Sequence, residues 1–253
     1  IRVSAVNIDS EWATQFNNFQ PDTTKFTDFE GMVNEIHSQG LKVILWATSF
    51  VNEDDPDYEY AVNQKYLVRD ARGKVKPLKW WHGKGGLLDY TNPDAVAWWH
   101  SMMDNVLKLP KTGDCVDGWK CDASDPYILE YMLLGGAYGY NDHKYESYHE
   151  YSYLYYGDFF NYTREVRGDE GLIMSRPVDC LDRSGKFAGS VCLAQSPPYV
   201  MTSGWVGDDD GNMAGLKICA DKVIFSAWDN FANYGCDIGG YRGTDGNPTD
   251  ATK

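Results

Sequence analysis

The stretch LKVILWAT at residues 41–48 is a continuous apolar run. A strand of an antiparallel sheet with one wet face alternates apolar and polar residues. An unbroken run of this length instead suits a parallel strand buried on both faces. Working outward, Gly40 sits where a helix C-terminal cap belongs. Before it, Phe29, Met32, Val33 and Ile36 follow the i, i+3, i+4, i+7 spacing of a buried helical face. TDFE at 27–30 is a capping box that opens this helix. RVSAVNID at 2–9 reads as the strand before it. This β–α–β order repeats along the chain.

Residues 51–88 are polar and Gly-containing and read as a long loop. Asn92-Pro93 supplies a cap and first helical residue. Trp98, Trp99, Met102, Met103, Val106 and Leu107 give that helix its buried side. CVDGWKCD (115–122) reads as the third strand, 143–167 as a long helix, GLIMSRPV (171–178) as the fourth strand and YVMTSGW (199–205) as the fifth. Residues 212–229 read as a helix and 232–240 as the sixth strand with its turn. The stripe Tyr145, Tyr148, Tyr155, Phe159 and Tyr162 is assigned to packing. Alternating strands and helices imply an α/β fold, a parallel sheet covered by helices. Six strands are visible, not eight.

The 253 residues carry 37 acidic and 23 basic side chains, a formal net charge of −14, which argues against a nucleic-acid partner and against an anionic membrane surface. No apolar run reaches the ~18 residues of a membrane span. Trp and Tyr are abundant, at 9 and 18, and their flat apolar faces with polar tips suit sugars as well as cores. The six cysteines match no zinc spacing. Neither a dinucleotide fingerprint nor a phosphate loop follows any strand. The run Asp208-Asp209-Asp210-Gly211 lacks calcium-loop spacing, so no metal or cofactor is expected. Asn161-Tyr162-Thr163 is an N-glycosylation sequon, which leaves the compartment open, with a secreted or lumenal one favoured.

Charged residues gather at the strand ends. They are Asp9 with Glu11 beyond it, Asp122 followed by Asp125, Arg176, Asp208 before Asp209 and Asp210, and Asp237. Buried strand ends are costly places for charge unless it is paired or used. In (β/α)₈ barrels these ends form the active-site face. Two carboxylates, a guanidinium and indoles around one pocket suit glycoside hydrolysis.

Seven segments in order then resemble the catalytic barrel of family 31 glycoside hydrolases, the retaining α-glycosidases. They are VNIDSEW (6–12) with FQPDTTKF (19–26), HSQGLKVIL (37–45), LLDYTNPDAVAWW (87–99), VDGWKCDASD (116–125), LIMSRPV (172–178), GWVGDDD (204–210) and CDIGGY (236–241). The resemblance implies a (β/α)₈ TIM barrel of which this chain holds strands two to seven. It implies that residues 1–253 are one catalytic domain, part of a longer polypeptide with further domains as partners. It makes Asp122 the nucleophile and Asp208 the acid/base. Arg176, Asp237 and Asp9 become substrate-binding residues, with Glu11 the competing choice to Asp9, and Trp119 and Trp205 become subsite walls. The substrate would be a glycoside or oligosaccharide with a terminal α-linked sugar, and transglycosylation stays open beside hydrolysis. The sequence departs from the family pattern at Lys120, at Asp125, where a Glu is usual, and at Pro177. The second reading is a catalytically silent sugar-binding or scaffold subunit that keeps the barrel.

Overall fold

The computed structural model describes residues 3–108, 115–122, 126–176, 178–179, 193–194, 197–228 and 230–243. In chain order the strands are β1 (Ala5–Ile8), β2 (Lys42–Ala47), β3 (Phe50–Asn52), β4 (Leu78–Trp80), β5 (Gly83–Leu87), β6 (Gly118–Cys121), β7 (Leu172–Ser175), β8 (Val178–Asp179), β9 (Leu193–Ala194), β10 (Ser203–Trp205) and β11 (Tyr234–Gly235). The helices are α1 (Phe29–Ser38), α2 (Tyr58–Asn63), α3 (Pro93–Leu107), α4 (Pro126–Leu133), α5 (Tyr148–Arg167) and α6 (Met213–Trp228).

Among the described residues, six strands form one parallel sheet in the order β1-β2-β6-β7-β10-β11. Spatial order follows chain order, and a helix lies between each of four neighbouring pairs: α1, α3, α5 and α6. This is a curled portion of a (β/α)₈ barrel, as the sequence implies.

Register decides which side chains share a face. Parallel neighbours pair Asn7 with Ile44, Trp46 with Lys120, Lys120 with Met174, Met174 with Ser203, and Trp205 with Gly235. Alternate residues point to opposite sides. Asn7, Trp46, Lys120, Met174 and Trp205 therefore look inward, and the parity extends to Asp9, Asp122, Arg176 and Asp237 just past the strand ends. Leu45, Trp119, Cys121 and Ile173 face the helices, and all are buried.

The outer layer is aromatic. Trp119 meets Phe19 and Phe159 edge-on at 5.2 and 5.6 Å, and Phe19 meets Trp99 at 5.1 Å. Tyr145, Tyr155, Phe159 and Tyr162 are buried, so the tyrosine stripe packs as expected. The first helix is capped by Asp28 rather than Thr27, its side chain accepting from Gly31 N–H at 3.0 Å. Asn92 caps α3 as read.

Residues 51–88 differ from the expected loop. They hold α2 and most of a three-stranded antiparallel sheet ordered β3-β5-β4. The central strand, GKGGL, shows no hydrophobic alternation because its glycines answer to backbone contact. A Cβ on Gly85 would stand 2.2 Å from the Val51 carbonyl oxygen. The long helix starts at Tyr148, not 143, capped by Ser147. Among the described residues, no helix is long and apolar enough to cross a membrane.

Candidate active site

The charged residues converge at the carboxyl ends of the parallel strands. Asp122 closes β6, and its backbone N–H donates to Ala47 O at 2.9 Å, holding it against β2. The Tyr155 hydroxyl, from α5, lies 3.1 Å from Ala47 O and 3.2 Å from Asp122 O. The side chain of Asp122 is 12% exposed. Trp46 Nε1–H donates to its Oδ2 at 3.0 Å, and Arg176 Nη2 donates to its Oδ1 at 3.1 Å. One donor on each oxygen fixes the plane of the carboxylate.

The same Arg176 Nη2 lies 3.5 Å from Asp208 Oδ1. The two carboxylate oxygens share one nitrogen, so their separation cannot exceed the two contacts laid end to end. That bound accommodates the ~5–5.5 Å spacing between carboxyl groups found in retaining glycosidases. Asp208 is more open than Asp122, at 32% exposure of its side chain. Protons can reach it from water more readily.

Beside this pair stands Lys120, where the sequence departs from the family pattern. Its ammonium donates to Asp9 Oδ2 at 2.6 Å and lies 4.7 Å above the Trp205 ring. Asp9 also accepts from Asn7 Nδ2 and from Ser10 N–H, each at 2.9 Å. Partial burial pushes the Asp9 carboxyl up, but Lys120 and these hydrogen bonds outweigh it, and the net shift is downward. Asp237 shifts upward. Partial burial is the main cause, the negative charges of Asp208 and Asp9 add to it, and Lys120 and Arg176 oppose it. Asp237 is thus near enough to Asp208, Asp9, Lys120 and Arg176 to feel their charges.

Glu11, two residues on, has other partners. β1 ends at Ile8, and Glu11 takes φ 67°, which turns it out of the strand. Its carboxylate reaches His82 at 3.4 Å and Lys25 at 4.0 Å in an exposed position.

Trp119 requires a correction. It is fully buried, its indole N–H donates to Thr163 Oγ1 of α5 at 3.0 Å, and strand parity turns it to the helix layer. It packs the barrel from outside and cannot wall the pocket. Trp205 does face inward, but its ring carries Lys120 and also Arg176, whose Cζ is 5.2 Å from the centroid. It serves as a platform for two cations. Trp46 and Lys120 were the residues missed. Their signal was parity, since Lys120 lies two residues before Asp122 and Trp46 pairs with Lys120 across the sheet. Asp125 and Pro177 lie outside the described residues.

A second tier supports the acidic loop. Lys222 of α6 is 2% exposed, and its ammonium donates to Val206 O at 3.0 Å and to Asp209 Oδ1 at 2.8 Å. Burial pushes the Asp209 carboxyl up, Asp208 adds to this, and Lys222 and Arg176 pull against it. Cys121, outward-facing, is buried and its thiol is pushed well up by burial. His143 pairs with Glu150 at 2.7 Å, and His149 lies beside Tyr148 and Tyr153 on α5.

Comparison with known proteins adds an independent line. The family described as glycosyl hydrolases family 31 TIM-barrel domain matches residues 1–252. The α-xylosidase XylQ of Lactiplantibacillus pentosus is 24% identical over 94% of this chain and 28% of its own length. Neutral alpha-glucosidase C of Mus musculus is 25% identical over 93% of this chain and 25% of its length. A glucose-bound dextranase of Flavobacterium johnsoniae superposes with a TM-score of 0.72 at 18% identity, covering 95% of this chain and 28% of that one. The chain thus spans about a quarter of the length of these proteins.

Proposed function

The chain belongs to glycoside hydrolase family 31, and from that premise we propose that it supplies the catalytic carboxylates of a retaining α-glycosidase. The observation that carries this reading is the single guanidinium nitrogen of Arg176 in contact with both Asp122 and Asp208.

Asp122, the more buried of the two and held by two donors, is the nucleophile. Its free electron pair attacks the anomeric carbon as the bond to the leaving oxygen breaks. Asp208 gives its proton to that oxygen. A water molecule then attacks the same carbon, passes a proton to Asp208 and releases Asp122. Arg176 stays beside both groups and offsets the negative charge they share. Asp9, Arg176 and Asp237 hold sugar hydroxyls, and Lys120 sets the position of Asp9. Residues 1–253 work within one barrel domain of a longer polypeptide. The xylosidase and glucosidase relatives make xylosides and glucosides the first substrates to test.

The test is a panel of aryl α-glycosides (gluco, galacto, xylo) offered to the full-length protein, with Asp122→Asn in parallel. A 2-fluoroglycosyl fluoride of the preferred sugar follows, to trap the intermediate. Turnover that Asp122→Asn abolishes, with the trapped sugar on Asp122, supports the reading. A trapped sugar on another residue would overturn the assignment. A folded protein without turnover on any member would favour a silent sugar-binding barrel.

A further inference from the structure

Cys219 and Cys236 are distant in sequence but meet in space. Cys219 lies on α6 and is buried; Cys236 follows β11 and is exposed. The two thiols are near enough for each to bear on the other's ionisation. Both line one cavity, which also takes in Asp209, Asp237 and the Ile238–Gly240 turn. The Cys219 thiol is pushed up to about 12, chiefly by burial, with Cys236 and Asp209 adding and Lys222 opposing. The described cysteines elsewhere are placed differently. Cys115 lies 2.8 Å from an Arg167 nitrogen, and Cys121 is sealed beneath α5.

We propose that Cys219 and Cys236 are a dithiol–disulfide site, closed by a small-molecule disulfide oxidant of the oxidised-glutathione class. Cys236, the exposed partner, loses its proton to solvent, and its thiolate attacks the oxidant. One thiolate leaves and a mixed disulfide forms. Cys219 is a poor nucleophile toward anything in solution. Held against Cys236 it needs no encounter, and proximity compensates for its low thiolate fraction. It gives up its proton, attacks the Cys236 sulfur and expels the second thiolate. Two protein thiols are oxidised, one oxidant disulfide is reduced, and the two protons end on the two small thiols.

The bond formed would staple α6 to the loop that carries Asp237. Three residues along α6, Lys222 holds the Asp209 carboxylate next to Asp208. The staple therefore ties together the two segments that bring acidic groups to the pocket from the far side of Arg176. The site rests on the placement of the thiols and stands whether or not the protein cleaves α-glycosides.

The test incubates the full-length native protein with oxidised glutathione, unfolds it, alkylates the remaining thiols and digests it. The expected result is a peptide pair joined through Cys219 and Cys236, two hydrogens lighter than the reduced peptides. In Cys219→Ser the same treatment should stop at a stable glutathione adduct on Cys236. In Cys236→Ser, Cys219 should remain fully alkylated. A lasting glutathione adduct on Cys236 in the unsubstituted protein would overturn the proposal. So would pairing of Cys236 with another cysteine, or two unreacted thiols.

Discussion

The Lys222 ammonium and the Asp209 carboxylate form a 2.8 Å contact in which the lysine is almost wholly withdrawn from water. Desolvating both charges is expensive, and their attraction offsets that only while both are present. Lys222→Met should therefore lose ~3–5 kcal/mol of stability. Adding Asp209→Leu should recover much of the loss. Urea midpoints for the two single variants and the double variant measure the coupling. A loss below ~1 kcal/mol for Lys222→Met would show that water reaches Asp209 once the lysine is gone.

Asp208 lies on the more open side of Arg176, as suits a group that trades protons with water. If it protonates the leaving oxygen, its value depends on how poor the leaving group is. Asp208→Asn should cost ~10²–10⁴-fold on alkyl or sugar α-glycosides. A dinitrophenyl α-glycoside, whose leaving oxygen needs no proton, should keep most of its glycosylation rate. A Brønsted series of aryl glycosides reads this directly. An equal loss across the series would remove Asp208 from the acid role.

The upward shift of Asp237 has a definite sign. A carboxylate needed in its charged form is lost as pH falls through its raised value, above the ordinary ~3.9 of aspartate. KM should climb on the acid limb before bulk carboxylates titrate. Asp237→Asn should have a high KM that barely changes across the same range. An acid limb that survives unchanged in Asp237→Asn would assign it to another group.

At the opposite end of β6, Asp117 accepts from Val43 N–H at 2.8 Å, from Arg167 Nη2 at 3.0 Å, and contacts His37 Nε2 at 2.8 Å. Burial raises its carboxyl, but these partners prevail and the net shift is downward. A depressed folded value means stabilisation that is complete above the unfolded ~3.9 and fades as pH falls through the folded value. Asp117→Asn should cost about 3 kcal/mol at neutral pH and flatten the acid side of a Tm-against-pH plot. Activity per folded molecule should be unchanged, because Asp117 lies at the other end of the strand.

Charge at strand ends was legible because buried strands seldom carry it. Asp122 and Asp208 meet at Arg176, Asp9 is held by Lys120, and Asp237 is near enough to feel these charges. The resemblance makes Trp119 a subsite wall, and strand parity forbids it. It lies three residues from Asp122, and odd separations along a strand point to opposite faces. Lys120 and Trp46 obey the same rule in the favourable sense and were recoverable by counting. The small sheet inside 51–88 was not, because three-residue strands and a glycine-rich centre leave no periodicity. Nor was Asp117, whose role comes from Arg167 and His37, residues brought to it only by the fold.

The Tyr155 hydroxyl touches the carbonyls of both Ala47 and Asp122 from outside the sheet. The main chain beneath Asp122 is therefore anchored by a helix, not by the segments that leave the strand tips. Those segments can be lengthened, trimmed or exchanged while the Asp122 carboxylate keeps its seat. A scaffold with that property separates its anchor from its rim, and a designer would leave Tyr155 alone and diversify the rim.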